Sequence, residues 1–283
     1  MSPSCIEICA GCGGASRGLH DAGFDHRILI ERDPIAAASL RLNEIGPVLC
    51  QDLNDTDLTD RTADLVWASP PCQPYSRGGL KRGAQDPRDL WSATLSAIRQ
   101  IDPRWVVIEN VIGCPADEWR ADLLGSGFTH CEHKTLNAAD YGVPQLRRRV
   151  FIVAGYVPFC WPIATHKKPE INNHIPMFPD NRDPWASIRD TLNISRSCPM
   201  YHYPSPAIGT SDGQGIGGIG GRDRLERQIG KRALSVDECR LLQGFPDTHV
   251  ITGNKRDQYR QIGNAVPPIM ARLIGQSIIQ GMK

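Results

Sequence analysis

Residues 5–24 read CIEICAGCGGASRGLHDAGF, and they specify much of the fold. An apolar run of strand length leads into the glycine loop Gly11-Cys12-Gly13-Gly14, and a helix-forming stretch follows the loop. Glycines between a strand and a helix let the backbone approach a ligand closely. A second apolar run ends at Glu31, about 20 residues beyond the loop, where an acid can hydrogen-bond a ribose hydroxyl. The pattern predicts a ligand-binding loop. Two alternatives remain open: a tight strand–helix turn with a surface acid, and a redox pair formed by Cys9 and Cys12.

Outward from this stretch, strand-like and helix-like runs alternate through the first half of the chain. The amphipathic stretch 89–101, for example, is followed by a fully apolar run at 105–108. This order predicts an α/β domain with a mainly parallel sheet. Ligands bind such sheets at the carboxyl ends of strands, so we expect the site in the loops at 9–14, 69–79 and 109–113.

The composition is that of a globular protein: 283 residues, 40% hydrophobic and 22% charged. A net charge of +1 excludes a uniformly basic surface but allows a local basic stripe. We find no membrane-length apolar run and no signal-peptide pattern, so a cytoplasmic location with reduced thiols is expected. The spacing of the ten cysteines has no zinc-ribbon pairing, and no metal site is predicted.

The character of the chain changes near Tyr156, where proline, histidine, asparagine and aromatic residues become frequent. A glycine-rich run follows at 209–221, and Ser235 begins a capping-box pattern for a helix. We therefore predict a second, smaller, loop-rich domain at residues 157–254. Residues 1–156 plus 255–283 form the larger domain in this prediction.

Cys72 stands in the segment Ser69-Pro70-Pro71-Cys72-Gln73-Pro74-Tyr75-Ser76, at the end of a predicted strand. An isolated cysteine is more often a small core residue than a reactive one. Here the prolines fix the backbone, and a thiol on a rigid loop at a strand end suits a nucleophile. The segment therefore predicts a catalytic cysteine.

Two further sets of polar residues lie at the ends of predicted strands. Glu109 and Asn110 end an apolar strand, where a carboxylate needs a partner; a helix-start acid is the alternative. Gln145, Arg147 and Arg149 alternate, so in a strand they share a face that suits an anion or a base edge, unless the strand is a solvated edge.

Together these loops resemble the cytosine-C5 methyltransferases that use S-adenosylmethionine. EICAGCGG (7–14) is similar to the family's cofactor motif, PCQ (71–73) to its catalytic motif, ENV (109–111) to its Glu-Asn-Val motif, and Gln145, Arg147 and Arg149 to its Gln-x-Arg-x-Arg motif. The last two motifs of the family are similar to the segment 232–246, which begins with RALS and ends with LLQGFP, and to QIGNAVPP (261–268). The resemblance runs in the family's order from residue 5 to about 275.

The resemblance implies a Rossmann-like methyltransferase domain with a smaller target-recognition domain. It assigns catalysis to Cys72, Glu109, Arg147 and Arg149. It assigns the cofactor, with S-adenosylhomocysteine as product, to Cys9, Ala10, Gly11, Gly13, Gly14, Glu31, Arg32, Asp52, Pro70, Asn264 and Val266. Contacts to the substrate fall to Gln73, Ser76, Asn110 and Gln145.

By the same resemblance the partner is double-stranded DNA, read by the variable segment at 156–230, with a cognate restriction endonuclease as a candidate second partner. Two positions depart from the family: Cys9 stands where phenylalanine is usual, and Arg32 where an aromatic residue is common. We expect Arg32 to stack on adenine instead.

Three other functions are weighed against this one. A tRNA methyltransferase of the same fold usually carries a Cys-Phe-Thr stretch, which this chain lacks. A catalytically silent DNA-binding relative would not need an intact Cys72, Glu109, Arg147 and Arg149. A nicotinamide dehydrogenase has no use for the Pro-Cys-Gln loop or the last motif. The sequence therefore favours a DNA cytosine-C5 methyltransferase, whose recognition sequence and oligomeric state it does not give.

Overall fold

The computed structural model describes residues 2–72, 75, 89–169, 180–193, 204–209 and 233–283. Its strands are β1 (Ser4–Ile8), β2 (Asp25–Ile30), β3 (Val48–Leu49), β4 (Leu65–Ala68), β5 (Trp105–Asn110), β6 (His130–Asn137), β7 (Gln145–Leu146), β8 (Arg148–Gly155), β9 (His166–Lys167), β10 (Asp183–Pro184) and β11 (Ser205–Pro206). Its α-helices are α1 (Gly14–Ala22), α2 (Pro34–Leu42), α3 (Trp91–Ile101), α4 (Ala116–Gly125), α5 (Ile188–Leu192), α6 (Val236–Leu242), α7 (Lys255–Asn264) and α8 (Pro268–Gly281).

Seven strands form the central sheet in the order β3-β2-β1-β4-β5-β8-β6. The first five in this order pair in parallel, whereas β8 runs antiparallel to both β5 and β6. The predicted α/β fold with a mainly parallel sheet is therefore confirmed. The chain order reverses between β1 and β4, and such a switch point opens a crevice at the carboxyl ends of the strands. The glycine loop and the loop of Cys72 leave the sheet at this crevice.

Helices cover both faces of the sheet because strand side chains alternate in direction. On one face, Ile6, Ile8 and Val106 pack with α3 and α4, where the rings of Trp91 and Trp119 stack with centroids 4.6 Å apart. On the other face, Trp67 and Phe151 pack with α1 and α8. The two apolar layers fix the strands from both sides and leave the strand ends free for chemistry.

A third apolar cluster joins distant parts of the chain. Cys12 of the glycine loop packs with Ile208, with Leu242 of α6 and with Ile262 of α7. Several residues of the predicted second domain, from Ile188 to Ile251, thus share a core with the glycine loop and with α7. The domain limits at 157 and 254 remain predictions.

The helix ends follow local signals in the sequence. Ser235 and Glu238 form the predicted capping box at the start of α6. The helix predicted from residue 89 begins at Trp91 instead, because the carboxylate of Asp89 accepts a hydrogen bond from the Trp91 amide ahead of the first turn. The predicted glycine-rich connection at 209–221 lies, apart from Gly209, outside the described residues.

Close packing of α1 against α8 predicts a sharp difference between two helical glycines. A Cβ on Gly18 would collide with the Pro268 carbonyl oxygen and lie 2.8 Å from the Ala271 Cβ. Gly18→Ala should therefore destabilise the fold by about 1–3 kcal/mol, the usual cost of overpacking. Gly125→Ala, at the exposed end of α4 with nothing within 4 Å, is the matched control and should be neutral or slightly stabilising. Urea unfolding of the two variants measures the difference, and equal stabilities would contradict the packing argument.

Candidate active site

The glycine loop is held in left-handed backbone conformations. Gly11 has φ +58° and Gly13, the N-cap of α1, has φ +92°. Gly14 lies against residues of the last motif, since a Cβ there would collide with the Val266 carbonyl oxygen. Cys9 has φ +58°, which is strained for a residue with a side chain. The loop therefore depends on glycine both for its turn and for its contact with the C-terminal segment.

Glu31 lies beside this loop, as predicted from its spacing. Its carboxylate accepts hydrogen bonds from the Gly11 amide at 2.7 Å and from the Asp33 amide at 2.8 Å. Burial raises the pKa of Glu31, and the two amide donors oppose the shift. Space next to Gly11 is open for 4 Å from an ideal Cβ position. An acid at the edge of an open glycine loop suits a ribose diol.

Asp52 and Arg32 lie together near the glycine loop. The guanidinium of Arg32 donates to the Asp52 carboxylate at 3.3 Å. Asp52 also accepts from the Asn54 amide, and this bond is the largest cause of its lowered pKa. Arg32 is about half exposed, so its expected stacking on adenine stays a prediction.

Of the two cysteines of the glycine loop, Cys12 is buried and Cys9 is partly buried. Burial raises the pKa of Cys12 to about 12 and raises that of Cys9 further. The Cys12 thiol contacts the Gln261 carbonyl oxygen at 3.5 Å. A redox pair needs an accessible thiolate, and these two groups do not provide one.

The loop of Cys72 is fixed by neighbours at both ends. Asn110 donates from its side-chain amide to the Pro70 carbonyl at 3.1 Å. The Tyr75 amide donates to the Cys72 carbonyl at 3.0 Å, and the Tyr75 ring lies edge-on to Trp119. Asn110 is buried, and its amide oxygen accepts from the next backbone amide. Asn110 therefore helps to hold the loop, and its contact with substrate stays a prediction.

Glu109 and Arg149 form an ion pair at the carboxyl end of β5. The Arg149 Nε lies 3.2 Å from the Glu109 carboxylate. Burial raises the pKa of Glu109, and Arg149 and Arg147 oppose that shift. A carboxyl group whose pKa is raised at a strand end holds a proton more readily than a free carboxyl group does.

Cys72 lies within the electrostatic reach of this ion pair. Burial is the largest cause of its raised pKa, followed by the negative charge of Glu109, whereas Arg149 and Arg147 lower it. The sequence predicted activation of the thiol by basic neighbours. The arginines do act in that direction, but burial and the carboxylate prevail, so the thiol is protonated while Glu109 is charged.

Gln145, Arg147 and Arg149 all point inward but bind different partners. Gln145 is fully buried, and its amide donates to the Leu242 carbonyl and to the Gln243 side chain. Both of its donors are therefore used within the protein, and its substrate contact stays a prediction. The Arg147 guanidinium is also buried and donates to the Gly263 carbonyl at 2.9 Å. Of the three, Arg149 reaches Glu109.

The remaining predicted residues are placed as follows. Val266 is buried against Gly14, and Asn264, the last residue of α7, is exposed. Gln73 and Ser76 lie outside the described residues. Within the described ranges, no group of three or more histidine, cysteine or acidic residues could hold a metal ion. No helix in those ranges is long and apolar enough to cross a membrane.

Sequence reasoning missed His249 and Gln243. His249 is buried, stacks on Phe245 and donates from Nε2 to the Cys12 carbonyl at 2.8 Å, which fixes the glycine loop from behind. Gln243 bridges Gln145 to the Ala265 carbonyl. Neither residue stands in a pattern that signals a contact so distant along the chain.

Comparisons with known proteins identify the family and the fold. The chain matches the family described as C-5 cytosine-specific DNA methylase over residues 4–193 and 164–280. It is 33% identical to the Type II methyltransferase M.NgoMIV of Neisseria gonorrhoeae, with 100% of this chain and 99% of the relative covered. It is 30% identical to the Type II methyltransferase M.NaeI of Lentzea aerocolonigenes, with 96% and 74% covered. The S. pombe Dnmt2 methyltransferase superposes with a TM-score of 0.74 at 19% identity, covering 99% of each chain.

The fold and the site define a methyltransferase with a cysteine at the carboxyl edge of its sheet. The chain belongs to the C-5 cytosine-specific DNA methylase family and is a cytosine-5 methyltransferase.

The buried His249 predicts an acid-sensitive fold. Burial lowers its pKa to about 4 from 6.5, so its stabilising contribution is present above pH 6.5 and is lost as the pH falls toward 4. The loss amounts to about 3 kcal/mol. His249→Gln keeps an N–H donor and removes the titration, so its stability should fall less between pH 6.5 and 4, as measured by urea unfolding. His130→Gln, at an exposed position, serves as the control, and parallel curves for wild type and His249→Gln would refute the assignment.

Proposed function

We propose that the protein transfers a methyl group from S-adenosylmethionine to C5 of a cytosine in double-stranded DNA, through a covalent bond between Cys72 and C6. The observation that carries the proposal is the placement of Cys72 at the end of β4 beside the Glu109–Arg149 ion pair at the end of β5. A nucleophile, an acid and a cation are then available at one edge of the sheet.

The chemistry follows from these three groups. Cytosine C5 is a poor nucleophile, and addition of a thiolate at C6 turns C5 into an enamine carbon. The electron pair of the enamine would then form the bond from C5 to the methyl carbon, while the bond from that carbon to the cofactor sulfur breaks with its pair on sulfur, so that S-adenosylhomocysteine leaves. A base, such as water, would then take the C5 proton; the pair of that C–H bond re-forms the C5–C6 double bond, and Cys72 leaves C6 as a thiolate. Glu109 protonates N3 during addition, while Arg149 orients Glu109 and holds the base oxygen.

The electrostatic coupling between Cys72 and Glu109 supports this order of events. The charge of Glu109 raises the pKa of the Cys72 thiol. When Glu109 carries a proton, its contribution disappears, while burial still raises the pKa of Cys72 and the two arginines still lower it. The same proton is the one needed at N3. Protonation of one buried carboxyl group therefore supplies the acid and removes one of the two main obstacles to the thiolate.

The residues around the glycine loop fit S-adenosylmethionine. When bound, the cofactor supplies a methyl group on a positively charged sulfur. The open loop at Gly11 would lie against its methionine part, Glu31 would accept from the ribose hydroxyls and Asp52 would accept from the adenine amino group. Pro70, Asn264 and Val266 would close the site. The hydrogen bonds of Glu31 to two amides already fix its carboxylate for this task.

DNA as the substrate is supported by the family and by the names of the Type II relatives. A cytosine inside a duplex cannot reach Cys72, so the base must leave the stack. We assign sequence reading to the variable segment at 156–230, which mixes basic and aromatic residues. A cognate endonuclease, as in a restriction-modification system, is the proposed second partner.

Covalent trapping tests the nucleophile. Duplex DNA with 5-fluorocytosine at the target should form a stable adduct with the wild-type protein and cofactor, because fluorine cannot leave as a proton does. Cys72→Ser should form none, and Cys50→Ser, at an exposed cysteine, should behave as wild type. A denaturing gel shows the shifted band. An adduct that persists in Cys72→Ser, or none with wild type, refutes the mechanism.

Bisulfite sequencing decides the substrate class. The wild-type protein is incubated with duplex DNA and, separately, with tRNA, each with cofactor. Protected cytosines in the DNA alone agree with the proposal, whereas protected cytosines in the tRNA alone replace it with the alternative substrate.

The cofactor site has its own test. Glu31→Gln removes one of the two acceptor oxygens and should weaken binding of S-adenosylmethionine by about 5- to 150-fold, the scale of one charged hydrogen bond at 1–3 kcal/mol. Asp55→Asn changes an exposed carboxylate in the nearby turn and should leave the affinity unchanged. Calorimetry without DNA measures both, and equal affinities would show that the pocket is misplaced.

A further inference from the structure

Residues 205–208 attach to the catalytic strands through their backbone. β11 pairs in parallel with β7, and the Ser205 amide donates to the Pro144 carbonyl at 2.9 Å. Three positions after Ser205, the Ile208 amide donates to the Gln145 side-chain oxygen at 2.9 Å. The Ile208 carbonyl accepts from the Arg147 guanidinium at 3.4 Å. Both polar backbone groups of Ile208 are thus bound by side chains of the Gln-x-Arg-x-Arg segment.

The side-chain nitrogen and oxygen of Gln145 both form hydrogen bonds within the protein. Both hydrogens of the Gln145 amide are donated, one to the Leu242 carbonyl and one to the Gln243 side chain, at 3.1 and 2.8 Å. Its oxygen holds the Ile208 amide. Gln145 is 0% exposed, and a buried amide with all its donors and its acceptor used has one low-energy orientation. The position of Ile208 relative to β7 is therefore fixed.

The residues that bind Ile208 are close in sequence to the proposed catalytic groups. Arg147, which binds the Ile208 carbonyl, also donates to the Gly263 carbonyl of the last motif. Two residues further along the chain, Arg149 pairs with Glu109. A shift of residues 205–208 along β7 would break the bonds at Ile208 and disturb Arg147.

We propose that Gln145 is a positioning residue for sequence discrimination: through the Ile208 backbone it fixes the register of residues 205–208, and with them the base-reading segment, against the catalytic strands. This inference rests on the proposed function, since Ile208 belongs to the segment to which we assign DNA reading. Specific base contacts require groups held at defined distances from the target base. A segment free to slip along β7 would read neighbouring base pairs less selectively.

The test compares two equally buried glutamines of one network. Gln145→Met removes the acceptor for Ile208. Gln243→Met leaves that acceptor in place and removes the bonds from Gln145 to Gln243 and from Gln243 to the Ala265 carbonyl. Gln145→Glu is the conservative variant, since it keeps an oxygen for the Ile208 amide.

Two measurements apply to each variant. Hydrogen exchange of the Ile208 amide, followed by NMR on the full chain, should accelerate by about tenfold or more in Gln145→Met, the scale of one lost hydrogen bond, and stay slow in Gln145→Glu and Gln243→Met. Methylation of a randomised duplex library, scored by bisulfite sequencing, should show a flattened site preference in Gln145→Met and an unchanged preference in the other two.

The outcomes separate the hypotheses. A uniform loss of methylation at every site in Gln145→Met, or the same change of preference in Gln243→Met, overturns the positioning role. If Gln145→Met does not fold, a relaxed preference in Gln145→Glu also overturns it. If wild type methylates no duplex library, the proposed function fails, and the exchange of the Ile208 amide still decides whether Gln145 holds the segment.

Discussion

The antiparallel pairing of β5 with β8 is the constraint on which the site depends. Its register places Glu109 opposite Phe151 and Asn110 opposite Val150, and Arg149 is the next residue of β8. A slip of one residue would turn the arginine to the opposite face of the sheet. Buried apolar residues on both faces of β8 resist such a slip. The apolar core thus sets the distance between the two charges of the site.

The charges themselves are kept in an unusual balance. Burial lowers the pKa of Arg147 to about 9; its two terminal nitrogens donate to carbonyl oxygens, and its buried Nε has no hydrogen-bond partner among the described residues. Glu109 is therefore shared between two arginines and a thiol. In a low-dielectric setting, removal of one member leaves the others uncompensated. Such a group of four responds as a unit when a proton arrives or leaves.

Much of the fold followed from sequence pattern. The glycine loop, the acid at Glu31 and the strand–helix alternation carry local signals, because each depends on backbone geometry or periodicity within a few residues. The paired placement of Cys72 and Glu109 followed from the rule that parallel strands end at one edge. The family resemblance identified the same residues independently.

Other features could not be predicted because they depend on contacts between distant segments. Asn110 and Gln145 carry the right chemistry for substrate contact, but burial and competing backbone partners use their amides elsewhere. Nothing near His249 in the sequence indicates that it lies behind the glycine loop. The sequence alone allows a polar side chain many hydrogen-bond partners, and the tertiary packing determines which of them lies within reach.

The attachment of Ile208 through its amide and carbonyl has a consequence for how such an enzyme can change over evolutionary time. Main-chain groups are the same in every residue except proline, so the contacts with Gln145 and Arg147 do not depend on side-chain identity nearby. Neighbouring residues are then free to diversify without rebuilding the catalytic edge. One unchanging anchor can serve many different recognition surfaces.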